Sequence, residues 1–439
     1  MKIKKLALIG ALISLSVITV FLKTMPTKIS STSAEITHFS APEVDFPVYS
    51  QGTVLLETST GKVLYGKNEN EKLYPASTTK ILTAIIAIEH YNLTDKITAN
   101  KSAITAIPSG YSNAAIQPGE SLTVEELLQL FLIHSANEVG YIFAEDISGS
   151  IDNFANLMNK KAIEIGCKNT HFTNPSGIHN AEHYSTAYDM ALIAQYCMKN
   201  TAFRNIVSMT SCTIQPTDKY EKRYFKNTND LLDSKSRYYY ENAIGIKTGF
   251  TTQAKNCLIA GSKKDNMELI TVALGAEATA DGRSGRYVDT INLFNYGFEN
   301  YKIQKINTAN TEIQNLTIEN ATKDTKNLPL LLKDDIYALV PTNIDLSTLK
   351  YDIDINSNVS APITENDVLG KITYTIDGIN YSSDLLAEHT VEKFNYYLLA
   401  IQIALAIFVL FILFKLIFFR KKKKKKNYYK NYDSIYRFK

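Results

Sequence analysis

The 439 residues contain no tryptophan, only four cysteines and only seven methionines. The cysteines (Cys167, Cys197, Cys212 and Cys257) are widely scattered, with no C-x-x-C pair and no metal-ligand spacing. That excludes a dithiol redox centre and a zinc ribbon as the basis of function. A chain of this length holds more than one domain and a sizeable core, so it does not need disulfides. Most of its thiols are expected to be buried and free. With 27 tyrosines against no tryptophan, the aromatic content reads as compositional bias, not as a sugar-binding stripe. The formal net charge is only +3, and it is unevenly placed. Arg420 and the run from Lys421 to Lys426 form a basic block at one end. The rest is mildly acidic, which argues against a nucleic-acid-binding body. At 45% hydrophobic and 21% charged, the composition is that of a folded protein. No repeat is evident.

The two ends carry targeting information. Met1-Lys-Ile-Lys-Lys5 precedes an apolar run from Leu6 to Leu22, with small residues near Ala34. Residues 1–34 therefore read as a secretory signal or a retained signal anchor, and 35–51 as a linker. Near the other end, Tyr396 to Phe419 is broken only by Gln402 and Lys415. That length spans a bilayer as a helix, so a transmembrane segment is expected over 394–419. The tail 420–439, with its lysine block, would lie on the cytoplasmic side, and the body between the two ends would face outward. After a spanning helix the lysine run is a topology signal with affinity for anionic lipid, not a nucleic-acid site.

Between the ends, Val54–Glu57 and Val63–Tyr65 read as a hairpin around a glycine turn. A buried helix begins near Ala76, just after Pro75. Thr123-Val-Glu-Glu126 fits a capping box opening a second helix. Strands are expected at Cys257–Ala260 and Leu269–Leu274. Helices in the middle with strands at both ends indicate an α+β fold, an antiparallel sheet with a helical layer, over 52–298. Residues 299–388 alternate in short stretches and turn at Asp377-Gly378, the pattern of a small all-β module.

Three short motifs carry chemistry. In Pro75-Ala76-Ser77-Thr78-Thr79-Lys80, positions i and i+3 share a helical face, so the Lys80 amine can reach the Ser77 hydroxyl. A serine becomes a nucleophile only beside a base, and a desolvated lysine near other cations supplies one. Ser59-Thr-Gly-Lys62 has the same spacing but falls in the hairpin turn, where the geometry fails. Ser135-Ala136-Asn137 offers a second hydroxyl to relay a proton and an amide to position the lysine and substrate. Lys247-Thr248-Gly249 follows strand-like Ala243–Ile246. It provides fixed positive charge, a hydroxyl for a carboxylate, and room for close backbone approach.

The order S-x-x-K, S-x-N, K-T-G resembles the penicillin-recognising serine enzymes. More narrowly, the chain resembles the low-molecular-mass penicillin-binding proteins, the D-alanyl-D-alanine carboxypeptidases of the S11 type. Tyr74–Thr83, Phe172–Gly177, His183–Ala187, Gly245–Gly249 and Asn295–Phe298 carry the likeness. The resemblance implies a transpeptidase-like fold, no cofactor and no metal. Its substrate would be the peptidoglycan stem pentapeptide, with β-lactams as covalent inhibitors, at the outer face of a bacterial membrane. It makes Ser77 the nucleophile, Lys80 the base, and Ser135 and Asn137 the proton-transfer and positioning groups. Lys247 and Thr248 would hold the terminal carboxylate, beside Gly249. The Ser77 and Phe250 N–H groups would form the oxyanion hole.

There are departures from the family pattern. Thr228 stands where some members have a carboxylate-binding arginine, and Arg283 or Arg286 is the expected substitute. Lys255-Asn256 and Tyr188 also differ. His179-Asn-Ala-Glu-His183 has the H-x-x-E-H spacing of a zinc peptidase, but it follows a loop sequence without helical periodicity and reads as a polar loop. Alternatives at this stage are a D,D-endopeptidase, a β-lactamase and a catalytically silent wall-binding protein. The β-lactamase would need a deacylating glutamate, and Glu164 and Glu182 lie in no matching sequence.

Overall fold

The computed structural model describes residues 36–433, with side chains as far as Leu416. The expected signal segment, 1–34, lies outside the described residues. Two compact units emerge. One comprises His38–Gln304 with Tyr337–Thr348; the other contains Lys305–Ile336 and the chain from Leu349 onward.

The first unit is built on five antiparallel strands: β1 (Gly52–Glu57), β2 (Val63–Lys67), β3 (Ala243–Thr251), β4 (Lys255–Lys264) and β5 (Met267–Ala276). Their order is β2-β1-β5-β4-β3, which leaves β3 at one edge. The strands read as nearly continuous apolar runs because both faces of the sheet are covered. Val54, Leu56, Ile259, Ile270 and Val272 pack into one core, and Leu55, Leu258, Leu269 and Ala273 into the other. This is the two-residue alternation of a pleated strand, with neither side left for water.

The larger core is filled by helices. They include α1 (Lys80–His90), α2 (Val124–Gln129), α3 (Asn137–Ser148), α4 (Ile151–Ile165) and α5 (Ala187–Met198). Residues Lys80 to Ala87 of α1 are all buried. A helix apolar all round belongs inside a core, where its lysine is taken out of water along with the rest. The capping box at Thr123 and Glu126 is formed reciprocally. Helix α6 (Gly285–Asn300) covers the opposite face of the sheet through Leu293 and Phe294. All four cysteines are buried free thiols, and burial raises each of their pKa values. None is therefore a ready nucleophile.

The second unit is an all-β module. Strands β6 (Glu312–Thr317), β7 (Asn327–Leu332), β8 (Asp352–Ile355), β9 (Val368–Ile376) and β10 (Ile379–Ala387) lie in the order β6-β7-β10-β9-β8. At the β9–β10 turn, Asp377 and Gly378 take φ values of 48° and 80°. Both are left-handed, as a two-residue hairpin loop requires. A helix, α7 (Tyr396–Asp433), follows. Its first 21 residues, Tyr396–Leu416, have a mean hydropathy of 2.8. At a rise of about 1.5 Å per residue they match a hydrocarbon layer of about 30 Å.

Candidate active site

The Ser77 turn is shaped before any chemistry is considered. Pro75 cannot donate a backbone hydrogen bond, and its carbonyl accepts from Thr78 N (3.2 Å) and Thr78 Oγ1 (2.6 Å). The chain then runs Ala76–Thr79 as a 3₁₀ turn directly into α1. In a 3₁₀ turn residues i and i+3 eclipse, which brings Ser77 and Lys80 closer into line than an α-helix would. Ala76 takes a left-handed φ of 48°, a conformation that costs a non-glycine residue about 1–2 kcal/mol. Two glycines hold the turn in place. A Cβ at Gly249 would lie 3.1 Å from both Pro75 O and Ser77 N, and one at Gly177 would fall on the Ala76 carbonyl.

Lys80 is wholly buried. Its Nζ lies 2.9 Å from Ser77 Oγ, 2.8 Å from Asn137 Oδ1 and 2.8 Å from Ser176 O. Two of these partners can only accept, so they take N–H bonds from the amine. Ser77 alone can donate. A neutral Lys80 satisfies all three contacts only by accepting the Ser77 proton. Burial, reinforced by the charge of Lys247, pushes the Lys80 pKa well below the ordinary lysine value, and Glu138 opposes that fall.

Ser135 closes a π-helical turn, Leu130–His134, with a left-handed φ of 70°. Its hydroxyl has no hydrogen-bond partner among the described residues and remains available to a bound molecule. Asn137, two residues on, donates from Nδ2 to Ser112 O at 2.7 Å while its Oδ1 accepts from Lys80.

On the facing edge strand, Lys247 is buried and donates to the Thr248 carbonyl at 3.0 Å. Burial and the charge of Arg286 lower its pKa to about 7. Thr248 Oγ1 lies 2.6 Å from Thr228 Oγ1, so the two threonines form a hydroxyl pair. Phe250 is 63% exposed, and its side chain borders the strand edge.

The two candidate arginines separate clearly. Arg283 is turned away into a partly exposed ion pair with Asp281 at 2.7 Å, so the structure does not bring it to the cluster. Arg286 donates to Gly249 O (3.2 Å) and Cys257 O (3.3 Å) behind β3, and it is the arginine whose field reaches Lys247. It sits in the first turn of α6 and points back at the sheet, whereas Arg283 precedes that helix in a loop.

The H-x-x-E-H pentad lies outside any helix. His183 is buried with a pKa lowered to about 3 by desolvation. Its Nδ1 accepts from Thr173 N at 3.1 Å and its Nε2 meets Thr79 Oγ1 at 2.9 Å. Nδ1 thus closes the loop on itself and Nε2 ties it to the Ser77 turn. The decoy Ser59 and Thr60 hydroxyls bond the Glu57 carboxylate at 2.9 and 2.6 Å, in the hairpin turn.

Sequence reasoning missed the loop Asn174-Pro-Ser-Gly177 as part of the site. Asn174 Oδ1 accepts from the amides of Ser176, Gly177 and Ile178 at 2.9–3.2 Å, which aims Ser176 O at Lys80. The signal was present in a turn-forming Asn-Pro and a glycine, but turn propensity does not say what a loop touches.

The fold comparisons place this architecture among penicillin-binding serine hydrolases. A structure of penicillin-binding protein 5 from Haemophilus influenzae superposes with a TM-score of 0.62 at 28% identity, covering 80% of this chain and 100% of that one. Residues 37–278, more than half of the chain, match the D-alanyl-D-alanine carboxypeptidase family, peptidase S11. Residues 298–393 match the C-terminal domain of penicillin-binding protein 5. The chain belongs to the S11 family of serine-type D-alanyl-D-alanine carboxypeptidases. It is 34% identical over 348 residues to the carboxypeptidase DacF of Bacillus subtilis, covering 78% of this chain and 84% of that protein. The carboxypeptidase DacA of Haemophilus influenzae is 30% identical over 363 residues, covering 80% and 87%. Peptidoglycan is the family's substrate.

Proposed function

We propose that the chain removes the terminal D-alanine from peptidoglycan pentapeptide stems through an acyl-enzyme on Ser77. The observation that carries this reading is the set of three Lys80 contacts, of which only Ser77 can supply a proton. In the first step Ser77 Oγ attacks the carbonyl between the two D-alanines and its proton passes to Lys80 Nζ. The N–H groups of Ser77 and Phe250 receive the developing oxyanion. Lys247 and Thr248, with Thr228 beside it, hold the terminal carboxylate, and Arg286 supports the positive potential from behind. The proton moves through Ser135 to the departing D-alanine amine, and Asn137 holds the lysine in place. Water then hydrolyses the ester. A β-lactam enters the same sequence but keeps its leaving group tethered.

These assignments require opposite protonation states of two lysines. Lys80 must be neutral to accept a proton, whereas Lys247 must be charged to bind a carboxylate. D-Alanine release from a pentapeptide should therefore rise with pH as Lys80 deprotonates, and kcat/KM should fall above about pH 7 as free Lys247 loses its charge. A bound carboxylate keeps Lys247 protonated, so the alkaline fall should appear in KM and recede in kcat. A KM flat across the neutral and mildly alkaline range would remove Lys247 from the binding role.

We place the α7 segment Tyr396–Leu416 across the cytoplasmic membrane, with the body outside and the lysine block inside. Protease added to intact spheroplasts should shave the body and spare an epitope fused after Lys439. Loss of the epitope would reverse the orientation.

A further inference from the structure

Glu138 is the acid next to Asn137 in the first turn of α3, and no catalytic role above uses it. It is 2% exposed. Its Oε1 accepts from Ala114 N at 2.6 Å, while its Oε2 makes no bond of full hydrogen-bonding geometry, although the amides of Ile116 and Glu138 itself also face the carboxylate. A buried carboxylate with an underbonded oxygen is costly to keep. Here it sits where the Ser112–Ile116 segment meets the S-x-N turn. That segment is tied down by a set of short bonds. Asn137 N and Nδ2 both donate to Ser112 O, at 3.0 and 2.7 Å, and Ser112 Oγ donates to His134 O at 3.2 Å. Ala115 within it is left-handed, with φ 54°. The carbonyl that fixes the Asn137 side chain therefore belongs to a strained loop, and the Glu138 carboxylate fastens that loop to the helix two residues further on.

We propose that Glu138 is a positioning residue for acylation: it fastens the Ser112–Ile116 segment to the start of α3, and so holds Asn137, and through it the Lys80 amine, in line with Ser77. The proposal rests on the catalytic roles assigned above. The charges facing Lys80 are Lys247 from β3 and Glu138 from α3. His134 on the π-helical turn and Arg286 behind β3 are coupled to Lys247, and buried His183 lies behind Thr79. Within that set Glu138 is the acid; burial raises its pKa, and in its charged form it moderates how far Lys80 is discharged.

The test is the second-order rate of penicillin acylation across pH, measured by mass on the full chain in detergent, for wild type, Glu138→Ala and Glu138→Gln. The alanine variant should acylate about 10²-fold more slowly, the scale set by an ångström of misplacement. The glutamine variant can still accept from Ala114 N. It should stay within about threefold at its optimum, a modest loss consistent with one retained hydrogen bond. Its acid limb should move to lower pH, because the charge favouring protonated Lys80 is gone. An alanine variant acylating at the wild-type rate would overturn the proposal. If that variant does not fold, a glutamine variant with an unmoved acid limb would do the same. So would rate losses in both variants that follow their melting temperatures and leave the pH profile unchanged. Wild-type acylation, read alongside, reports separately on the catalytic assignment itself.

Discussion

A Ser77→Ala chain incubated with penicillin is expected to gain no mass on the peptide spanning Pro75–Lys80, while the wild-type chain gains one penicilloyl group there. D-Alanine release should fall on the order of 10⁶-fold, since the nucleophile is what divides one hard step into two easier ones. A Lys80→Met chain should keep the hydroxyl but lose the proposed base, slowing acylation by about 10²–10⁴-fold. The two variants separate the roles: only the lysine variant should recover on raising the pH, as hydroxide begins to substitute for the amine. An adduct on Ser77→Ala at the wild-type rate would move the nucleophile elsewhere.

The second large effect is expected from a residue with no functional group. Gly177 has φ 75°, and a Cβ there would fall on the Ala76 carbonyl and within 2.9 Å of Thr79 Oγ1. Gly177→Ala should cost about 1–2 kcal/mol for the left-handed backbone and about 1–3 kcal/mol for overpacking. Because the displaced atom belongs to the residue before Ser77, activity should fall by about 10²-fold or more even where the variant folds. Denaturant midpoint and penicillin acylation rate, measured on one preparation, check both parts. Wild-type acylation in a folded Gly177→Ala chain would show that the Ser77 turn does not depend on this contact.

The sequence made the Ser77–Lys80 contact legible because its logic is local. The Ser77–Lys80 pair lies within one turn, so spacing alone implied the contact that the structure measures at 2.9 Å. The hairpin, the capping box and the Asp377-Gly378 turn were readable for the same reason. Long-range partners were not. Nothing in Asn174–Gly177 announces that Ser176 O will meet an amine 96 positions earlier, and nothing in Glu138 shows that its neighbour will be Ala114. Arg283 and Arg286 look equivalent in sequence. Three positions turn the side chain from a loop ion pair to the inside of α6, and only the helix start at Gly285 decides between them. The domain partition also follows long-range packing, since Tyr337–Thr348 associates with the unit containing His38–Gln304.

Lys80 and Lys247 are both buried, and among the described residues neither is hydrogen-bonded to a carboxylate. For Lys247 the folded pKa of about 7 lies below its ordinary value. Its charge therefore weakens the fold below about pH 7, and that penalty fades as the pH rises towards the usual lysine range. On the role proposed for Lys247, the carboxylate that substrate and penicillin share would supply a counter-charge to this buried amine. A ligand held non-covalently through that carboxylate would stabilise the folded chain by mass action, so site occupancy and resistance to unfolding become linked quantities.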